Sequence, residues 1–428
     1  MRRAMVGGLM MVLLLTAACT KAQEEVTMMV ISDVHLMHPD LLKNDGEAFR
    51  EYVSYDRKML KESPELMEEA TEAVLREHPQ YLLVAGDLTK DGETISHKLL
   101  CERYLSRIRR AGIQVFVVPG NHDVDNPHAV EFDGSITKRV DTPRAEEFAE
   151  IYKDYGYGQA IARDTASLSY VVELGEGLRL LCLDACEYEE NSYDENTCVT
   201  AGRLKPATLE FIKTQAEAAA KEGSRMLAMM HHGIVEHWKW QERVMGDYLV
   251  AKWKRRAAFM KKLGVEVVFT GHFHANDIAS HAGLYDIETG SLVSYPSPYR
   301  FVRFSGNLLT VSTRYLEGSY LRLPEGVSLK DYSKEYAIQG ISSIAGGMLP
   351  EDCPDTLREH ACRVLGEAYV AHLGGDERFT EAQKAEIKAI ARKLKKYSWK
   401  MAYIFSHLAR YFSTDLEPCD NEITITLQ

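Results

Sequence analysis

Residues 114–123 read QVFVVPGNHD, an apolar run that breaks off directly into polar residues. The run has the length and the β-branched and aromatic content of a buried strand. The same pattern occurs four more times, where Asp33-Val34-His35, Gly86-Asp87, His231-His232 and Gly271-His272-Phe273-His274 follow apolar runs at 26–31, 81–85, 226–230 and 265–270. The five runs therefore predict strands whose carboxyl ends carry histidines, acids and one asparagine.

These polar clusters are expected to be neighbours in space. Open α/β sheets bind ligands outside the carboxyl ends of their strands, so five such ends can surround one crevice. Residues i and i+2 of an extended chain share a face, so Asp33 with His35, and His272 with His274, can each present two donors. The donors are imidazoles, carboxylates and one amide without cysteine, which suits Zn, Mn or Fe and leaves the choice among them open. The pattern thus predicts a metal site.

In this order the five clusters resemble the calcineurin-like metallophosphoesterases, a family defined by D-x-H, G-D, G-N-H-[DE], a histidine after a strand, and G-H-x-H. One block alone occurs by chance in many chains, but five in order, each after an apolar run, are specific. The resemblance extends from Asp33 to His274. It implies an α/β fold, a four-layer α/β/β/α sandwich of two mixed sheets.

The resemblance also implies the ligands of two divalent metal ions. One ion would be held by Asp33, His35, Asp87 and His274, and the other by Asp87, Asn121, His231 and His272. Asp87 would bridge two ions about 3.5–4 Å apart. His232 would lie outside the ligand set, and the pair runs into Gly233-Ile234 where many relatives have prolines.

The implied chemistry is the hydrolysis of a phosphate ester. A water shared by two divalent cations loses its proton near neutral pH, and the resulting hydroxide attacks phosphorus in line with the leaving oxygen. The family places His122 beside the leaving group as general acid or electrostatic stabiliser, and we expect Asp123 to orient His122. Phosphomonoesters and small phosphodiesters are the preferred substrates.

Two other functions remain open at this point. Some relatives cleave phospholipid headgroups or sphingomyelin, and a wide apolar rim above the metals would favour that phosphodiesterase activity. The alternative from a different class is a non-catalytic, metal-containing binding protein on the same scaffold, although every motif position is filled. A structural zinc site fits less well, because such sites are usually closed and rich in cysteine.

Other polar residues near the clusters have simpler interpretations. A lone histidine after a strand is more often a core or surface residue than a ligand, and we interpret His38, His128, His237 and His281 in this way. Arg300 follows the last cluster and can touch a phosphate at the edge of the site, but a packing role is the preferred interpretation. Cys186 with Cys198, and Cys353 with Cys362, can pair locally, with free thiols equally open.

The composition is that of an ordinary globular protein. The chain has 428 residues, of which 45% are hydrophobic and 27% charged, enough for a large core and for more than one structural unit. The formal net charge is −12, and the basic stretches at 252–256 and 393–396 fall within helical patterns. Long nucleic acid is therefore a poor candidate for a substrate. The oligomeric state stays open.

The first residues form a targeting segment. Arg2 and Arg3 precede an apolar core at 5–15, and Thr16-Ala17-Ala18-Cys19 ends it. Residues 1–19 resemble a bacterial lipoprotein signal, which implies a lipid on Cys19 and a polar tether at 20–25. Cleavage by the ordinary signal peptidase is the alternative, because Thr16 stands where leucine is preferred. Either way we expect export to the bacterial cell envelope, with the membrane face open.

The domain organisation follows from the positions of the clusters. We expect a phosphoesterase domain over 26–339, with an insertion at about 37–64 that overhangs the site and either selects substrate or decorates the surface. A mainly helical C-terminal extension is expected over 340–428, where apolar residues from Ile387 to Tyr411 form one long stripe that must be buried. Further strands are predicted at 167–173, 178–184, 283–287 and 301–313, and helices at 65–77, 97–111, 206–221 and 247–263.

Overall fold

The computed structural model describes residues 25–54, 56–175, 177–375 and 377–428. The predicted signal peptide, its Cys19 and the tether up to residue 24 lie outside the described residues. Within the described ranges, no helix combines the length and the apolar character that crossing a membrane requires.

The strands begin close to where the apolar runs of the sequence begin. In chain order they are β1 (Val26–Ile31), β2 (Leu42–Asn44), β3 (Tyr81–Val84), β4 (Gln114–Val117), β5 (Val130–Asp133), β6 (Ile136–Arg139), β7 (Ala162–Arg163), β8 (Tyr170–Glu173), β9 (Leu178–Leu183), β10 (Arg225–Met230), β11 (Val267–Thr270), β12 (Ile278–His281), β13 (Leu284–Glu288), β14 (Pro298–Ser305), β15 (Leu308–Tyr315) and β16 (Glu422–Thr426).

The α-helices lie between and after these strands. They are α1 (Glu47–Ser54), α2 (Ser63–Glu77), α3 (Thr94–Leu99), α4 (Ser106–Arg110), α5 (Ala145–Ile151), α6 (Pro206–Lys221), α7 (Gln241–Val244), α8 (Trp253–Lys262), α9 (Leu329–Met348), α10 (Asp355–Gly374), α11 (Glu381–Leu394) and α12 (Trp399–Tyr411). A π-helical segment, Leu100–Leu105, joins α3 to α4. The helix predicted at 97–111 therefore begins earlier than expected, at Thr94.

Two large mixed sheets form the centre of the molecule. The first has the strand order β16-β15-β14-β1-β3-β4 and the second β12-β13-β11-β10-β9-β8-β7. The motif-bearing strands β1, β3 and β4 are parallel neighbours in the first sheet, and β10 and β11 are parallel neighbours in the second. The carboxyl ends of these strands from the two sheets lie close together. Nδ1 of His231, after β10, is 2.8 Å from the carbonyl oxygen of Ala85, after β3.

Strand β10 shows why the sheets are stacked. Leu227 and Met229 are buried in the same core as the first sheet, whereas Met226, Ala228 and Met230 are buried with α6 and α8. Side chains alternate between the faces of a strand, so an apolar strand must be covered on both sides. The α/β fold predicted from the sequence, two mixed sheets with helices outside and a mainly helical C-terminal region, is confirmed.

The insertion at 37–64 is a small structured unit. It contains β2 and α1, and β2 pairs with β5 in a third sheet of order β2-β5-β6. Its apolar side chains form a separate small core that includes Leu41, Phe49 and Leu60 with Phe132. The insertion therefore has its own packing and a defined position.

The C-terminal helices bury the first half of the predicted apolar stripe, at Ile387, Ile390 and Leu394. In α12 the buried residues are Ala402, Phe405 and Ala409, and the stripe residues predicted there are only half-buried. The stripe is divided, however, because α11 ends at Leu394 and Ser398 begins α12 by accepting a hydrogen bond from the backbone N–H of Met401. Phe412 packs against Phe273 of the last motif, with ring centres 6.2 Å apart. The chain then returns as β16, antiparallel to β15, a strand that we did not predict.

Two predicted elements were wrong in their extent. The strand expected at 301–313 is a hairpin of β14 and β15, because Gly306 turns the chain at φ +62°. The helix expected at 247–263 begins only at Trp253, since Gly246–Tyr248 forms a 3-10 turn and Lys252 has φ +63°.

Two questions left open by the sequence concern side chains outside the motifs. The cysteines of the described residues are all free thiols, so neither local disulfide is present there. Arg300 is fully buried and donates hydrogen bonds to the backbone oxygens of Glu288 and Asp420. The packing interpretation of Arg300 is confirmed.

Candidate metal centre

The motif loops share an unusual backbone conformation. Asp33, His35, Asp87, His272 and His274 have φ angles of 49°, 41°, 47°, 79° and 69°. Residues other than glycine rarely adopt this left-handed region, and each such residue costs on the order of 1–3 kcal/mol unless the surroundings enforce it. Strain of this kind clusters at functional sites, and here it falls on five of the residues predicted as metal ligands.

Glycine lets two motif loops approach their neighbours. A Cβ atom at Gly120 would overlap the carboxylate of Asp87, and one at Gly271 would overlap Ser32 Oγ. No other residue fits at these contacts without moving the neighbour. The glycines of the G-N-H and G-H-x-H blocks are therefore required by the close approach of the loops.

The first group of donor atoms comes from Asp33, His35, Asp87 and His274. Nε2 of His35 lies 3.1 Å from Nε2 of His274, 3.6 Å from Asp87 Oδ2 and 3.8 Å from Asp33 Oδ1. All four residues are buried, and one donor atom from each lies within 4.8 Å of the others. Donors at about 2.0–2.2 Å from one ion lie at most about 4.4 Å apart, so this group fits one ion closely.

The second group contains Asp87, His231 and His272, again with donor atoms within 4.8 Å of one another. Nδ1 of His231 donates to the carbonyl oxygen of Ala85, so Nε2, 3.2 Å from Asp87 Oδ2, is the nitrogen available to a metal ion. In the described part of the chain, His231 Nε2 and Asn121 Oδ1 are buried without a hydrogen-bond partner.

Buried polar atoms without partners are costly, and a cation would satisfy both of these. The structure thus brings together the carboxylates and imidazoles predicted from the sequence, with Asp87 common to both groups. Asn121 follows β4 and is 6% exposed. The donor set and the unpaired atoms fit two divalent metal ions.

The imidazoles differ in protonation in the metal-free chain. Burial holds the pKa of His35, His272 and His274 below the ordinary value, so these rings are neutral and free to coordinate. Burial opposes the charge of His231 as well, but the carboxylate of Asp87 raises the pKa of His231 to about 10. An ion bound there must displace that proton.

His122 lies at the more accessible side of the centre, with its side chain 24% exposed. Its Nε2 is 3.9 Å from Asp87 Oδ2, and its Nδ1 is 2.8 Å from Asp91 Oδ1. Although burial opposes protonation, Asp87 and Asp91 together raise the pKa of His122. Lys90 and His122 in turn keep the pKa of Asp91 well below its ordinary value, against the effect of burial. Asp91 therefore favours the protonated form of the His122 ring.

Asp123 does not orient His122 as we expected. Its carboxylate accepts hydrogen bonds from the backbone N–H groups of Gly120, Leu88 and Thr89, at 2.8, 3.0 and 3.0 Å. The turn at 120–123 directs this side chain into the backbone of the Gly86-Asp87 loop, away from the His122 ring. Asp91 holds the ring instead, and its place four residues after Asp87 in the same loop was the signal that we missed.

Tyr52 is another residue of the site that the motifs did not reveal. Its hydroxyl donates a hydrogen bond to Asp91 Oδ2 at 2.7 Å, and the ammonium of Lys90 donates to the same oxygen at 2.5 Å. Tyr52 belongs to α1 of the insertion. The insertion therefore reaches the hydrogen-bond chain that holds His122.

The five other histidines considered from the sequence do not belong to the two donor groups. His232 packs beside His272, with ring centres 4.4 Å apart and the rings tilted by 56°, and its Nε2 lies 3.0 Å from the carbonyl oxygen of Thr200. His237 is a core residue whose Nδ1 lies 2.7 Å from Asp277 Oδ1. The other three make contacts outside the centre: His38 with Asp40, His128 with Asn196, and His281 with Trp253.

Solved structures resemble this chain at low sequence identity. A dimetal phosphatase from Danio rerio is 14% identical, covers 68% of this chain and 96% of its own, and has a TM-score of 0.48. A putative 5'-nucleotidase from Staphylococcus aureus, in complex with alpha-ketoglutarate, is 13% identical, covers 73% and 57%, and has a TM-score of 0.39. These scores are too low to carry a conclusion. No curated protein matches the chain.

The family described as calcineurin-like phosphoesterase matches residues 26–276. The match includes more than half of the 428 residues and all five clusters from Asp33 to His274. The resemblance inferred from the order of those clusters is confirmed. The chain belongs to the calcineurin-like phosphoesterase family.

Proposed function

We propose that the protein is a metal-dependent phosphohydrolase that cleaves phosphomonoesters or small phosphodiesters. The observation that carries this proposal is the pair of buried donor groups that share Asp87 beside the partly exposed His122. Membership in the family supports a phosphoester hydrolase in general terms.

We assign the ligands as the motifs do. Asp33, His35, Asp87 and His274 would hold one divalent ion, and Asp87, Asn121, His231 and His272 the other, with Mn, Zn and Fe as candidates. When bound, two such ions lower the pKa of water and neutralise charge on a phosphoryl group. Asp33 is kept in place by Ser32 Oγ at 2.6 Å and by the backbone N–H of His272 at 3.0 Å.

His122 is the group that would move a proton. Its Nε2 faces the centre, while Nδ1 is held by Asp91. Asp91 favours the protonated ring, and a proton on Nε2 can pass from there to the leaving oxygen of the ester. Asp91 stabilises the charged ring before the transfer, and Tyr52 and Lys90 keep Asp91 in position.

The test uses the soluble chain from Gln23, stripped of metal and refilled with Mn or Zn. Hydrolysis of p-nitrophenyl phosphate and of bis-p-nitrophenyl phosphate is compared in the wild type, in Asp87→Asn and in a control, Asp154→Asn. Asp154 is exposed and pairs with Arg109. We expect metal-dependent turnover in the wild type and the control and its loss in Asp87→Asn, with the ratio of the two rates separating monoesterase from diesterase. Two bound metals without turnover of either ester would contradict the proposal.

We also propose that the mature protein is exported to the bacterial cell envelope and anchored by a lipid on Cys19. The support is the sequence of residues 1–19, with its basic start, short apolar core and final cysteine. Mass spectrometry of the amino-terminal peptide from membranes should find Cys19 carrying acyl chains. A mature chain that starts at another residue would contradict the anchor.

A further inference from the structure

A separate group of buried carboxylates and imidazoles lies where the C-terminal helices meet the catalytic body. Asp277 lies between β11 and β12, His372 in the last turn of α10, and Glu377 just after that helix. A donor atom from each lies within 4.8 Å of the other two, and all three residues are buried. None of them belongs to the five motifs, so the two ions of the motif centre do not account for this group.

The distances within this group match those between ligands of one metal ion. Nδ1 of His372 lies 3.1 Å from Glu377 Oε1 and 3.6 Å from Asp277 Oδ2. Two donors at 2.0–2.2 Å from a tetrahedral ion lie about 3.3–3.6 Å apart. The separation from Asp277 is too long for a hydrogen bond, whereas it suits two ligands on either side of an ion.

The hydrogen bond between His372 and Glu377 leaves one atom of each residue unpaired. Glu377 Oε2 and His372 Nε2 are buried without a hydrogen-bond partner in the described part of the chain, and the side chain of Glu377 is 1% exposed. A buried carboxylate oxygen without a partner is costly, and a cation bound by both oxygens of Glu377 would remove that cost. Such an ion has four protein donors, the number usual in a structural zinc site.

The buried charge around Asp277 is mostly negative. Its Oδ1 lies 2.7 Å from His237 Nδ1, and His237 Nε2 lies 3.3 Å from Asp286 Oδ2 and 3.6 Å from Glu288 Oε2. The buried acids of this region are Asp277, Asp286, Glu288, Glu377 and Asp420, and the buried bases beside them are His237, His372 and Arg300. Even with all three bases charged and one acid protonated, one negative charge remains among these residues. A divalent cation would offset it.

A cavity gives an ion access to this group. Glu377 lines a cavity of about 710 Å³ whose wall also includes Tyr295 of the catalytic body and Glu367 of α10. The exposed Lys334 belongs to the same wall, so the cavity opens to solvent. On the protein side, the His372 ring packs against Phe273 and Phe412, with ring centres 5.4 and 5.5 Å away, and these rings hold its orientation.

We propose that Asp277, His372 and Glu377 bind a third divalent metal ion, which joins the C-terminal helices to the catalytic body. Imidazole and carboxylate donors without a thiolate suit Zn, Mn or Fe. The ion enters between His372 Nδ1 and Glu377 Oε1 and displaces the proton of their hydrogen bond. Its role is structural, because it links the segment after β11 to the end of α10 and takes no part in hydrolysis.

Zinc content distinguishes a metal ion from a simple hydrogen-bonded pair. The metal-stripped chain is dialysed to equilibrium against zinc, and bound zinc is counted by inductively coupled plasma mass spectrometry in the wild type, Glu377→Gln and Glu386→Gln. Glu386 is the matched control, because it also pairs with a histidine of α10, His360, at 2.7 Å, but its side chain is 44% exposed. We expect Glu377→Gln to bind one zinc ion fewer than the wild type and the control. An equal zinc count in Glu377→Gln and the wild type would overturn the proposal.

Diffraction from wild-type crystals grown at saturating zinc gives a second test that needs no variant. Anomalous scattering at the zinc edge should place an ion between Asp277, His372 and Glu377, in addition to the ions of the motif centre. The absence of that peak would refute the third site, even if Glu377→Gln failed to fold. Neither measurement depends on turnover, so a chain that hydrolyses no ester would contradict only the proposed function.

Discussion

Replacing Asp91 by asparagine removes the charge that holds His122. Asp91 Oδ1 faces His122 Nδ1 at 2.8 Å, while Oδ2 accepts hydrogen bonds from Tyr52 at 2.7 Å and from Lys90 at 2.5 Å. Because two donors converge on Oδ2, the single oxygen of an asparagine side chain will face them. Its NH2 group will then face Nδ1, which must accept a hydrogen bond. The ring is neutral in that arrangement and is a poor acid.

The size of the effect follows from the lost interaction. A hydrogen bond to a charged group contributes about 1.5–3 kcal/mol, and about 1.4 kcal/mol corresponds to a factor of ten in rate. We expect kcat for an alkyl phosphate, whose leaving group needs a proton, to fall about ten- to a hundredfold in Asp91→Asn. The rate with p-nitrophenyl phosphate should fall less, because nitrophenolate leaves without a proton. The alkaline limb of the kcat profile should move to lower pH, since removing the carboxylate lowers the pKa of His122.

The assay compares both substrates across pH in the wild type, in Asp91→Asn and in Asp154→Asn, whose exposed carboxylate pairs with Arg109. Metal content and the unfolding temperature are measured on the same samples. Unchanged rates with the alkyl phosphate, at equal metal content, would refute the role assigned to Asp91.

Three further predictions test other contacts. In Gly120→Ala the new Cβ meets the Asp87 carboxylate, so metal content after dialysis should fall, whereas Gly347→Ala, where a Cβ meets nothing within 4 Å, should keep it. Metal binding at pH 7 should release the proton of His231, whose pKa is raised to about 10 in the metal-free chain, and identical calorimetric heats in two buffers of different ionisation enthalpy would contradict this. Burial lowers the pKa of His97 to about 3. Between about pH 6.5 and pH 3, the unfolded chain binds a proton at His97 that the folded chain does not. The free energy of unfolding therefore falls by about 1.4 kcal/mol for each pH unit below about 6.5. Urea unfolding of metal-free His97→Asn should therefore lose less stability between pH 6.5 and 5 than the wild type, and equal slopes would show that His97 titrates normally.

The candidate ligands could be found in the sequence because each lies within a few residues of a strand end. For Asp33 and His35, the apolar run gives the strand, and the polar residues that follow need no long-range information. The family then supplied the grouping that five separate clusters cannot show alone.

The residues that we missed depend on contacts between distant segments. Tyr52 reaches Asp91 only because α1 packs beside the loop after β3. No periodicity of the insertion predicts this contact. The role given to Asp123 failed for a related reason, since neighbours in a tight turn point in different directions.

The boundaries that failed depended on single turn residues. Gly306 divides one long alternating stretch into two strands, and Ser398 starts a new helix in the middle of a continuous apolar stripe. In both cases the hydrophobic pattern continues across the break, so the pattern alone predicts one element where the chain forms two.

Strand β16 determines how the chain can be shortened. It pairs with β15 from Leu308 to Ser312 and so covers the outer edge of the first sheet. A chain cut at residue 339 would leave the backbone N–H and C=O groups of that edge bare, and Arg300 would lose its buried acceptor at Asp420. A long, uncovered edge strand is a template for pairing with another chain. The last strand thus shields the longer β15 and leaves the five-residue β16 as the edge of the sheet, and the helices before it are the connection that brings β16 into place.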